Sequence, residues 1–104
     1  MANPFAGDVT LTIDGRAHVL RLTLGALAEL ETAMGTDTIL ALVERFEGGQ
    51  FSSRDVLALV VAGLRGGGWQ GSAADLMSAE IEGGLQGAAR VAASLLAHAF
   101  TPPA

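Results

Sequence analysis

Hydrophobic and polar residues alternate from Asp8 to Ile13, break at Asp14-Gly15, and alternate again from Arg16 to Leu22. A period of two is that of a half-buried strand, and Asp-Gly supplies the two positive-φ residues of a type I′ turn, whose twist matches the flanking strands. The pattern predicts a β-hairpin over residues 8–22. A two-residue loop sets its register, pairing Ile13 with Arg16, Leu11 with His18, Val9 with Leu20 and Asp8 with Arg21. Val9, Leu11, Ile13, Leu20 and Leu22 then share one face, and Asp8, Thr10, Thr12, Val19, Arg21 and Thr23 share the other. A lone hairpin is marginal in water, so helices or another chain must cover the leucine face. One or both strand edges are expected to keep unpaired backbone groups, open to a further strand.

From Thr23 the period lengthens to that of a helix. Leu27, Leu30 and Met34 fall in one arc of a first helix over 24–34, with Thr23 as N-cap and Gly35 as left-handed terminator. A second helix over 38–47, capped by Asp37, turns Ile39, Leu42, Val43 and Phe46 inward and leaves Leu40 outside. The third, over 53–65, opens on the capping box Ser52-x-x-Asp55. Its apolar positions, from Val56 to Leu64, sweep roughly 200° of the circumference, which places it at the centre of the fold. Ser72-x-x-Asp75 starts a fourth helix over 73–80, and Gly83-Gly84 separates it from a fifth over 85–100. In the fifth, Leu85, Ala88, Ala89, Ala92, Leu95, Leu96, Ala99 and Phe100 form one stripe, and Thr101-Pro102-Pro103 stops it. The expectation is one α+β domain over 1–104, an N-terminal β-hairpin packed on a small bundle of four to five helices. Its core is read as Leu11, Leu20, Leu27, Leu30, Val43, Phe46, Leu57, Val60, Leu64, Leu85, Leu95 and Leu96.

Composition narrows the function. Half of the 104 residues are hydrophobic and 16% are charged, enough apolar side chain for a core without disulfide or metal. The absence of cysteine excludes a disulfide framework, a thiolate metal site and a cysteine nucleophile, and it fits a cytoplasmic protein. Six arginines, no lysine and eleven carboxylates give a net charge of -5, which argues against nucleic acid as a partner. No window approaches the ~18 apolar residues of a membrane span, and Met1–Gly7 lack the basic start and apolar run of a signal peptide.

Candidate chemistry is sparse. Gly66-Gly67-Gly68-Trp69-Gln70-Gly71 fits G-x-G-x-x-G but follows a helix, whereas a dinucleotide fingerprint follows a strand; a P-loop needs a lysine that the chain lacks. His18 and His98 have no metal-ligating neighbour at helical spacing. Glu29 with Glu31, and Glu80 with Glu82, lie two apart and would project some 200° apart on a helix, too far to share a proton. Ser52, Ser53 and Ser72 are accounted for by capping. No nucleophile has an evident base, so the chain reads as non-enzymatic, with no catalytic, cofactor-binding or metal residues. Function then falls to side chains that the helical pattern leaves unused. Leu40, Trp69 and Arg65 are the candidate partner-binding residues, with Arg65 as a polar orienter and Trp69 as either a core plug or a hot-spot anchor.

Asp14-Gly15-Arg16, the run Leu20-Arg21-Leu22-Thr23-Leu24-Gly25-Ala26-Leu27-Ala28-Glu29-Leu30-Glu31, then Leu64-Arg65-Gly66-Gly67-Gly68 and Glu82-Gly83-Gly84-Leu85 resemble, in order, the gene transfer agent tail assembly chaperone family. This phage-derived family is also labelled gene transfer agent tail tube protein, and the similarity covers essentially the whole chain. The resemblance implies a small helical protein that binds the tape measure protein during assembly and helps recruit tail tube proteins, then leaves the finished particle. It brings no catalytic residues and leaves a homo-oligomer open. The alternative it implies is a structural tail tube component that stays in the particle tail. Tube subunits resembling those of long-tailed phages are sheet-rich, whereas this chain has one hairpin and mostly helix, which favours the chaperone.

Overall fold

Asp14 and Gly15 turn the chain with φ of 51° and 79°, the two positive values of the expected tight turn. In the computed structural model, which describes residues 8–35 and 38–100, they join β1 (Val9–Ile13) to β2 (Arg16–Leu20) in the expected register, Val9 opposite Leu20 through Ile13 opposite Arg16. Leu11, Ile13 and Leu20 are buried on one face, while Val19 is exposed on the other. Beyond the paired residues Arg21 grips the Asp8 carboxylate with two hydrogen bonds of 2.9 and 2.8 Å.

Five helices follow among the described residues: α1 (Leu24–Met34), α2 (Ile39–Glu47), α3 (Ser53–Gly66), α4 (Ala73–Met77) and α5 (Gly84–Phe100). Each of the first four starts where a hydroxyl side chain accepts an otherwise orphaned N–H: Thr23 from Ala26, Thr38 from Ala41, Ser52 from Asp55 and Ser72 from Asp75. Both capping boxes form. Gly35, at φ 69°, ends α1 as expected. The cap of α2 is Thr38 in place of the expected Asp37, which lies outside the described residues, as do Met1–Gly7, the Phe100 side chain and Thr101–Pro103.

α3 is central, packing against α1, α4, α5 and β2. Leu59, Val60 and Leu64 on α3 meet Leu20, Leu30, Leu42 and Leu95 in one core, and among the described residues no polar or charged one is buried. α2 is tied to the start of α3 by a fork from Arg45 to Asp55, both bonds 2.9 Å, and by Phe46 stacked on Phe51 with ring centroids 4.5 Å apart.

Two expectations are corrected, whereas that of unpaired strand edges stands in part: among the described residues the outer edges are met at single points only, and no backbone hydrogen bond runs along the outer edge of β2. Along β1, the Asp14 N–H donates to the Glu80 carbonyl at 2.8 Å and the Glu82 N–H donates to the Thr12 carbonyl at 3.0 Å. Just past the end of β2, the Arg21 N–H donates to the Gly63 carbonyl at 2.9 Å. The first of these contacts also explains why α4 ends at Met77 rather than residue 80: the backbone of Glu80–Glu82 leaves the helix to pair with the hairpin, and Ile81 bridges Ile13. Secondly, Leu85 is 62% exposed, because the first turn of α5 stands on the rim of a groove that no described element covers, so it is no part of the core. Leu27, Val43, Phe46 and Leu57 are only half-buried, and Ala99 is exposed. Ala26, Leu42, Val56, Leu59, Ala62, Leu76, Ala88 and Ala92 fill the interior instead.

The close seating of β2 on α3 depends on missing side chains. A Cβ on Gly66 would lie 2.0 Å from the Arg21 carbonyl oxygen, and one on Gly67 would lie 1.9 Å from that of Val19. Only glycine lets these backbones meet.

Candidate functional site

The glycines that end α3 also aim the next segment. The Trp69 N–H donates to the Leu64 carbonyl at 2.9 Å, turning the chain back on the helix end. The indole is half-buried and packs against the core, above a cavity of about 390 Å³ that it lines with Ile13, Arg16, His18 and Leu76. Much of its surface is therefore used inside the chain, as a plug over the hairpin's turn end. Arg65 fixes the same loop from the other side, donating to the Glu29 carboxylate at 2.7 Å and to the Gly71 carbonyl at 3.2 Å. With Arg65 and Glu29 42% and 54% exposed, the ion pair is a surface one and contributes under about 1 kcal/mol. Its value is positional: it joins α1, the end of α3 and the tryptophan loop.

Leu40 stands apart from this group. It is 68% exposed on α2, and Glu44 and Glu47 follow it at four and seven residues on the same outer stripe, both exposed. The structure thus brings Arg65 and Trp69 together and leaves Leu40 on a separate face.

One apolar opening was not legible in the periodicity. A groove of about 640 Å³ runs between α3, α4 and the start of α5, floored by Val56, Leu57 and Val60 and rimmed by Met77, Ile81 and Leu85. Met77 is 73% exposed. Among the described residues Arg54 is the one charged side chain that lines it. Arg54 and Leu57 also line a neighbouring hollow between α1 and α3, so they stand on the ridge between the two. The one signal in the sequence is the breadth of the apolar arc of α3, wider than α1, α5 and the hairpin together cover.

The Arg45–Asp55 pair is structural. Partial burial pushes the Asp55 carboxyl up, but hydrogen bonds from Arg45 and from the Ser52 backbone, with the charge of Arg45, outweigh it and hold the group below its ordinary value. Among the described residues no three His, Cys, Asp or Glu side chains converge as a metal site, and no helix is long and apolar enough to cross a membrane.

Neither the curated proteins nor the solved structures gave a match. A family model described as phage tail tube protein, GTA-gp10, matches residues 6–101. That span takes in the hairpin, the glycine-closed end of α3 and every helix described above, and the chain belongs to this gene transfer agent tail family.

Proposed function

We propose that the chain is a structural component of the tail tube of a phage-like gene transfer agent, working by protein–protein contact and without catalysis or cofactor. The observation that carries this reading is the match to the tail tube family along residues 6–101. Its surface suits such a role: Leu24, Leu40, Met77 and Leu85 are each more than half exposed, and Met77 and Leu85 share one apolar groove, the kind of surface that marks an interaction site.

A second reading has a specific observation in its favour. The described residues form one two-stranded hairpin and five helices, far less sheet than the sheet-rich core expected of a tube subunit. That suits a tail assembly chaperone, which would bind the tape measure protein in the cytoplasm, help recruit tail tube subunits, and leave before the particle is complete.

Quantitative mass spectrometry of purified particles, beside a pull-down from producing cells, separates the two. Many copies per particle support the tube component. Capture with the tape measure protein in cells, with none in particles, supports the chaperone. Absence from both particles and tail-protein complexes would overturn the tail role itself.

A further inference from the structure

Two faces of this molecule are complementary, and neither is satisfied among the described residues. The groove between α3 and α5 has an apolar floor, the exposed rims Met77 and Leu85, and one cation, Arg54, which has no ion pair among the described residues. The outer stripe of α2 has one exposed apolar knob, Leu40, followed by the carboxylates of Glu44 and Glu47, which likewise make no ion pair among the described residues. Residues at four- and seven-residue spacing lie within one narrow arc of a helix, so knob and carboxylates present together.

We propose that the groove takes the α2 stripe of a second copy of this chain, with Leu40 seated between Leu57, Met77 and Leu85 and Glu44 or Glu47 against Arg54. Charge complementarity selects this occupant: in a chain of net charge -5, the groove is lined by a lone cation, and the α2 stripe carries two carboxylates beside its leucine. The corresponding stripe of α1, Leu24-Ala28-Glu31, carries only one. Because the two patches differ, the contact is head-to-tail. Each copy keeps one groove and one stripe to offer, so copies add until a ring closes or a filament grows. The contact stands on these two faces alone and holds for either tail role.

Sedimentation velocity of the full chain over a concentration series tests it. The parent protein is expected to associate beyond one copy, less so at high salt because an ion pair contributes. Arg54→Glu or Leu85→Glu in the groove, and Leu40→Asp on the stripe, should each weaken association by about tenfold or more, as for central interface residues. All three side chains are exposed, so thermal melting should be unchanged. An equimolar mixture of Arg54→Glu and Leu40→Asp retains one working stripe and one working groove, and it should stop at a dimer. A parent that stays monomeric at every concentration overturns the proposal. So do variants that associate like the parent, a Leu24→Asp variant that dissociates the assembly while Leu40→Asp does not, or a mixture that yields no dimer.

Discussion

Replacing Gly66 with alanine sets two opposed effects against each other. Gly66 is the last residue of α3, and alanine there gains helix propensity, at most about 1 kcal/mol and less at a helix end. Against this, the added Cβ would lie 2.0 Å from the Arg21 carbonyl oxygen and 3.2 Å from the Ala26 Cβ. Real Cβ contacts stay beyond 3.0 Å, so β2 and α3 must part by about 1 Å along a backbone that has no flexible end to yield. Overpacking of that kind costs roughly 1–3 kcal/mol, and strain on the adjoining 2.9 Å bond from Arg21 to Gly63 adds about 1 kcal/mol. The net loss should be about 2–3 kcal/mol. For a domain of ~100 residues this lowers Tm by roughly 10–20 °C. Gly25 is the internal control: a Cβ there meets only the Thr23 hydroxyl, at 3.9 Å, and its φ is not positive, so Gly25→Ala should match or exceed the parent's stability by up to about 1 kcal/mol. Thermal and urea unfolding of both variants decide the matter. If Gly66→Ala melts at or above the parent while Gly25→Ala behaves as expected, the close seating of β2 on α3 is wrong.

Val60 is 1% exposed at the centre of α3, and Val60→Asp buries an unpaired charge, so a soluble variant with a cooperative melt would contradict the central place of that helix. Trp69→Ala should cost about 2 kcal/mol in thermal or urea unfolding, since the indole plugs the turn end of the hairpin; a stability change within about 0.5 kcal/mol would return Trp69 to the role of a free anchor. Asp55→Asn weakens a capping box and the Arg45 fork, an expected loss of about 2 kcal/mol at neutral pH. Because the folded Asp55 sits below its ordinary value, its contribution is fully present above the usual carboxylate range and drains away as pH falls below about 4 and through the folded value. Acid titration of stability should accordingly be shallower in Asp55→Asn than in the parent, and parallel curves would refute the assignment.

What the sequence determined by itself was local. The Asp14-Gly15 turn and the alternation around it were enough for the hairpin register, because a two-residue loop leaves only one pairing that keeps the leucines on one face. The caps at Thr23, Ser52 and Ser72 were legible for the same reason: a hydroxyl and the N–H it satisfies are three residues apart. The run Leu64-Arg65-Gly66-Gly67-Gly68 pointed to a tail family, but its physical purpose lies in a contact with Val19 and Arg21 more than forty residues away. Only the tertiary structure could decide that residues 80–82 would abandon α4 for the edge of β1, since helix pattern and strand pairing compete there and the winner depends on where the hairpin packs. The candidate site divides in the same way. Leu40 was visible as an apolar residue off the buried stripe, and its exposure follows from local period alone. Leu85 belongs to an apolar stripe as regular as any in the chain, and it stands in solvent because burial requires a neighbour: α3 and α4 leave a groove beside it, a fact of packing that no local spacing encodes.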